Sequence, residues 1–81
     1  MKVALYALTT CPYCRMTKKM LEESGIDYQL TEVDLLEGEA KEQAIDEVKR
    51  ISGGTSFPVV IIDDEVIVGF DKKRIKELLG A

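Results

Sequence analysis

The chain has no histidine, only two cysteines and no long apolar run. Each absence narrows what it can do. Without histidine, both the usual general base and the commonest metal ligand are missing. Two cysteines are too few for the disulfide framework that a secreted domain of 81 residues would build from four or more. They are also too few for an intramolecular structural zinc site, which needs four nitrogen or sulfur ligands. The apolar run from Phe57 to Ile62 is interrupted by a proline and is far too short to span a bilayer. A charged start leading into an apolar stretch and a small-residue cleavage site is missing too, since Lys2 runs straight into a strand-like segment. Nothing therefore addresses the chain out of the cytosol, and no membrane association is expected. A net charge of −4 disfavours nonspecific binding to nucleic acid.

What is present is a globule-forming composition, 46% hydrophobic and 32% charged, which is neither that of a disordered chain nor that of a membrane protein. The length suits one small domain over residues 1–81. Both cysteines lie in Thr10-Cys11-Pro12-Tyr13-Cys14. Two residues between them put the second sulfur one turn after the first if a helix starts here, close enough for a disulfide to form.

The chain reads β-α-β-α-β-β-α. Val3 to Leu8 is apolar on both alternating sets, the pattern of a central strand covered on both faces. Cys11 is the expected N-cap of the next helix, and Pro12 suits its first position, where a missing N–H costs nothing. That helix should run to about Glu23, with Cys14, Thr17 and Leu21 inward, Met20 beside them, and Arg15, Lys18 and Lys19 outward; Ser24-Gly25 ends it. Tyr28 to Leu35 reads as a second strand, parallel to the first through a right-handed crossover. Glu37 to about Ile51 predicts a helix with Ala40, Ala44, Ile45, Val48 and Ile51 on its apolar face, stopped by Ser52-Gly53-Gly54. Pro58–Ile62 and Val66–Val68 form a hairpin around Asp63-Asp64-Glu65. Asp71 should cap a last helix carrying Ile75, Leu78 and Leu79.

A sulfur at a helix N-terminus faces unpaired N–H groups and the positive end of the helix dipole, which favours its thiolate. Cys11 is therefore the candidate nucleophile and the inward Cys14 the resolving thiol. Arg15 and Lys18 would add positive potential and stabilise the thiolate. Thiol–disulfide exchange needs no separate base once the attacking sulfur is ionised, in keeping with the lack of histidine. Two other readings stay open. Two copies of the chain would supply four thiolates for a bridging iron–sulfur cluster. Alternatively both cysteines are inert core residues, which suits Cys14 better than a Cys-Pro pair opening a helix.

Three motifs occur in order: Cys11-Pro12-Tyr13-Cys14 at a βα junction, Thr55-Ser56-Phe57-Pro58 before a hairpin, and Val68-Gly69-Phe70-Asp71 opening the last helix. On these the chain resembles a glutaredoxin over essentially its whole length. The resemblance implies a thioredoxin-like α/β fold, a four-stranded mixed sheet with three flanking helices. It implies dithiol–disulfide oxidoreduction in cell redox homeostasis, with glutathione as co-substrate, disulfide-containing proteins as partners, no permanently bound cofactor or metal, and a cytoplasmic monomer. Pro58 would be a cis-proline facing the nucleophile, letting the backbone of Phe57 pair with an extended substrate, and Tyr13 would wall the groove. Asp71 and Lys72 would offer backbone N–H groups to the γ-glutamyl carboxylate.

Two departures stand against full glutathione use. Many glutathione-using members carry Lys or Arg three residues before the nucleophile, and here Leu8 stands there. Such members often continue Gly-Gly into small and acidic residues, whereas this chain reads Gly69-Phe70-Asp71-Lys72-Lys73. The Gly-Phe form is similar to redoxins recharged by thioredoxin reductase, some of which serve ribonucleotide reductase. Lys72, Lys73, Arg74 and Lys76 form either a solvated basic face or an anion-attracting rim.

Overall fold

A computed structural model describes residues 2–80. The elements are β1 (Val3–Ala7), α1 (Pro12–Glu23), β2 (Gln29–Glu32), a single 3-10 turn (Val33–Leu35), α2 (Gly38–Ser52), β3 (Val59–Ile62), β4 (Glu65–Val68) and α3 (Lys72–Leu79). The four strands form one mixed sheet in the order β2-β1-β3-β4. β1 pairs in parallel with β2, Leu5 opposite Leu30, and antiparallel with β3, Leu5 opposite Val60; β3 and β4 form the hairpin, Val60 opposite Ile67. This is the four-stranded mixed sheet of the thioredoxin-like fold that the resemblance implies.

The period of two sorts each strand between two layers. Val3, Leu5, Ala7, Val60, Ile62 and Ile67 share one core cluster with Cys14 and Leu21 of α1 and Ile75 of α3. Val59 points the other way and is buried, as are Ala44 and Val48 of α2. Thus α1 and α3 cover one face and α2 the other. Leu5 is completely buried, and truncating it to alanine would cost about 2–5 kcal/mol through lost transfer energy and the cavity left behind. The buried hydroxyl of Thr17 donates to the Tyr13 carbonyl at 2.9 Å, so this polar group inside the core is satisfied within its own helix.

Three expectations are corrected. The strand read over Tyr28–Leu35 is confined to Gln29–Glu32, because its last pair is Ala7 with Glu32. β1 ends there, so the following residues have no neighbour to pair with and turn into the 3-10 segment. Ala40 is exposed, and the stripe of α2 meets the sheet only from Ala44 onward. The second face of β1 is only half covered, with Ala4 and Tyr6 partly exposed while Val3, Leu5 and Ala7 are buried. Other boundaries move by one residue. α2 ends on Gly53 at φ 79°, a left-handed conformation that a side chain would strain. The hairpin turns at Asp63, itself at φ 53°, and ties back to the start of β1: its N–H donates to the Lys2 carbonyl at 2.8 Å and its carboxylate accepts from the Lys2 N–H at 2.9 Å.

Candidate functional site

The sheet register assembles the site before any side chain is considered. Tyr6 lies opposite Val59, and Val59 opposite Val68. The residue preceding β3 therefore sits beside the end of β1, and the residue following β4 beside both. Cys11, Phe57-Pro58 and Gly69-Phe70-Asp71 accordingly meet at one end of the sheet. The Gly69 N–H donates to the Pro58 carbonyl at 2.7 Å, and Gly69 takes φ 84° to make this turn. The Phe57-Pro58 bond is cis, as the resemblance implied. Pro58 is buried and Phe57 half-buried against the core.

Cys11 caps α1 as expected. Its backbone is extended, Pro12 follows at the first helical position, and its Sγ accepts the Cys14 N–H at 3.4 Å. Leu8 holds both cysteines through its backbone: its carbonyl accepts the Cys11 N–H at 3.3 Å, and its N–H donates to Cys14 Sγ at 3.5 Å. The two sulfurs nevertheless live in different media. Cys11 is half-exposed, whereas Cys14 is 0% exposed, and both are free thiols. Burial pushes the Cys14 thiol up to about 11, with the nearby Cys11 sulfur adding to the rise and the Leu8 N–H opposing it.

Of the residues expected around the sulfurs, Tyr13 is 60% exposed and stacks on Phe70, with ring centroids 6.4 Å apart and planes 23° from parallel. Asp71 caps α3, its Oδ1 accepting the Arg74 N–H at 3.1 Å. The side chain of Lys72 lines a groove between α1 and α3. Arg15 is exposed, and its guanidinium reaches back to the Thr9 carbonyl at 3.4 Å, clasping the loop before Cys11. Lys18 is half-buried on α1. No group of three or more His, Cys, Asp or Glu side chains is placed to hold a metal ion among the described residues.

Sequence reasoning missed a clamp on the loop. Both carboxylate oxygens of Asp34 accept the Thr9 N–H, at 3.0 and 3.1 Å, and one also accepts the Thr9 hydroxyl. These bonds, from the hydroxyl first and then the N–H, hold the Asp34 carboxyl below its ordinary range. The clamp fixes the Thr9-Thr10 turn from the 3-10 segment. The available signal was an aspartate inside a supposed strand, where aspartate is disfavoured. The pairing of Phe70 with Tyr13 has no signal in the sequence beyond the place of Phe70 in the Gly-Phe motif.

The glutaredoxin family model matches residues 3–67. A glutaredoxin-like 8.6 kDa protein, itself uncharacterized, in the rubredoxin operon of Clostridium pasteurianum is 34% identical over 95% of this chain and 96% of its own length. Methanoredoxin of Methanosarcina acetivorans has a crystal structure that superposes with a TM-score of 0.93 at 47% identity, over 99% of this chain and 85% of the other. The structure of NrdH-redoxin from Escherichia coli, a glutaredoxin-like protein described as having a thioredoxin-like activity profile, superposes with a TM-score of 0.76 at 32% identity, over 96% and 95%.

Proposed function

The chain belongs to the glutaredoxin family, whose members are generally thiol–disulfide oxidoreductases, and from that premise we propose that it reduces disulfides by attack of Cys11 and resolution by Cys14. The observation that carries this reading is the contrast within one helical turn: a half-exposed cap sulfur at the positive end of α1, and a fully buried sulfur hydrogen-bonded beneath it.

The thiolate of Cys11 attacks one sulfur of a substrate disulfide along its S–S axis. That bond breaks, the distal sulfur leaves as a thiolate and takes up a proton, and the proximal sulfur remains bonded to Cys11. Cys14 then loses its proton and attacks Cys11 Sγ, releasing the second substrate thiol and closing a Cys11–Cys14 disulfide. Two electrons have passed from the dithiol to the substrate. Two glutathione molecules, or the dithiol of a reductase, restore the starting state. Tyr13 and Phe57 wall the groove that receives the substrate backbone, with the buried Pro58 beneath it, while Asp71 and Lys72 open α3 with N–H groups that can take a carboxylate. Arg15 and Lys18 supply positive potential on the Cys11 side. The protein acts in the reducing cytosol.

A second reading concerns the reductant. Leu8 and the Gly69-Phe70 pair favour a redoxin recharged by thioredoxin reductase over one served mainly by glutathione, and the likeness to NrdH-redoxin supports that choice. Side-by-side turnover with glutathione plus glutathione reductase, and with thioredoxin reductase plus NADPH, tests it. Faster turnover with glutathione would reverse the preference. For the dithiol assignment itself, limiting iodoacetamide followed by mass spectrometry should alkylate Cys11 first, and preferential labelling of Cys14 would overturn it.

A further inference from the structure

A groove of ≈390 Å3 runs between α1 and α3, with Met16, Met20 and Phe70 as its apolar lining and Lys19, Lys72 and Lys76 as cations along it. Glu23 is the one carboxylate among the lining residues, and it lies 3.9 Å from the Lys19 ammonium. The chain as a whole is acidic, with a net charge of −4, so this basic rim runs against the overall charge. It also runs against the helix it stands on. Lys72 and Lys73 occupy the first turn of α3, which holds no acidic residue, and cations there oppose the helix dipole. Met16 is 48% exposed. Methionine adapts its shape to varied apolar partners. The groove is continuous with the thiol site, since Phe70 lines the one and stacks on Tyr13, two residues after Cys11, at the other.

We propose that this groove docks an acidic segment of a protein substrate, flanking the disulfide that Cys11 attacks. An aliphatic or aromatic side chain of that segment rests on Met16, Met20 and Phe70, and its carboxylates face Lys19, Lys72 and Lys76. The proposal rests on the disulfide-reductase reading and gives it a substrate class. Charge on the rim raises the encounter rate with acidic partners, and the apolar floor holds the segment while exchange proceeds.

The test uses the full chain, reduced and freed of reductant, in single turnover against two synthetic peptide disulfides that share a leucine flank. One carries Asp and Glu around it and the other Lys. Each turnover oxidises the Cys11–Cys14 pair and converts one peptide disulfide to two thiols, so no other reductant is required. At low salt the acidic peptide should react about tenfold or more faster than the basic one, and 0.5 M salt should erase most of the difference. The double variant Lys19→Glu, Lys76→Glu should remove or invert the preference while leaving the rate with the small neutral disulfide of 2-mercaptoethanol unchanged. Met16→Ser should slow the acidic peptide several-fold at either salt concentration. Equal rates for the two peptides, or a preference that survives the double variant, would overturn the docking site.

Failure to reduce even the small neutral disulfide would defeat the reductase reading instead. Docking is then read separately by fluorescence anisotropy of a labelled acidic peptide, with Ser in place of Cys, on the Cys11→Ser, Cys14→Ser protein. Binding lost in the added Lys19→Glu, Lys76→Glu variant supports the site; no binding, or equal displacement by a single-stranded oligonucleotide of the same charge, refutes an acidic protein segment as the occupant.

Discussion

Helices α1 and α3 begin in the same way and to different ends. Each opens with a residue whose side chain accepts the N–H three positions on: Cys11 Sγ from Cys14 at 3.4 Å, and Asp71 Oδ1 from Arg74 at 3.1 Å. The two openings lie side by side, joined through the Tyr13–Phe70 stack. A carboxylate is a strong cap and chemically inert, whereas a thiol is a weak cap with a second use. At α1, cap strength has been exchanged for a sulfur that can leave its hydrogen bond and react. At α3 the carboxylate secures the helix and leaves the backbone N–H groups of the first turn facing the same space.

Converting one opening into the other is the sharpest way to break this comparison. Cys11→Asp should abolish disulfide reduction while keeping or raising the thermal midpoint, because aspartate is among the preferred N-caps. A drop in helicity by circular dichroism would show that the two caps are not equivalent. The next effect lies one turn down, at Cys14. Burial raises the Cys14 thiol, so resolution of a preformed Cys11 mixed disulfide should accelerate as pH rises above neutrality, in proportion to the thiolate fraction. A resolution rate flat from pH 7 to 9 would contradict the burial argument.

The same shift has a stability consequence. A thiol whose folded value is raised stabilises the reduced protein below its unfolded value, and that contribution is lost as pH climbs toward about 11. Thermal melts of the reduced protein should therefore fall between about pH 9 and 11 more steeply than those of Cys14→Ala. Parallel slopes would remove Cys14 as the cause.

Smaller effects sharpen the contrast. Asp71→Ala should cost about 1 kcal/mol of stability by chemical denaturation, and Cys11→Ala less than half of that, since only the first removes a strong cap. Equal losses would mean that sulfur caps as well as carboxylate does. The smallest change is expected at Leu8, where a lysine would add a cation on the α1 side opposite the α3 N–H groups. Leu8→Lys should improve activity with glutathione by about twofold to fivefold at low ionic strength, the worth of one exposed charge contact, and the gain should fade with salt. An unchanged glutathione reaction would place the carboxylate contact elsewhere.

The features legible in the sequence were those set by neighbours in the chain. Cys11-Pro12 at the start of α1, Asp71 at the start of α3 and Gly53 after α2 are local choices of backbone and hydrogen bonding, and each stands where its chemistry put it. The Phe57-Pro58 isomer was legible only through the resemblance, because the local preference is for trans. What was not legible depends on distant partners. The end of β2 is decided by where β1 stops. The exposure of Ala40 depends on how far α2 reaches over the sheet. The stack of Tyr13 on Phe70 and the bonds from Thr9 to Asp34 join segments that no periodicity connects. Leu8 stands out in the sequence through its side chain, whereas in the fold its backbone holds both cysteines.

The position of β1 between β2 and β3 bears on how the protein is made. On the ribosome β1, α1 and β2 emerge first and can form only the parallel pair. The antiparallel partner of β1 begins at Val59, and the core cluster that contains Cys14 includes Val60, Ile62, Ile67 and Ile75. Until those residues have left the exit tunnel, Cys14 lacks half of the buried residues of its core cluster, with only Val3, Leu5, Ala7 and Leu21 in place. A nascent chain paused before β3 would therefore present two accessible thiols where the finished protein presents one, and its capture by cellular disulfides would mark the stage at which the core closes.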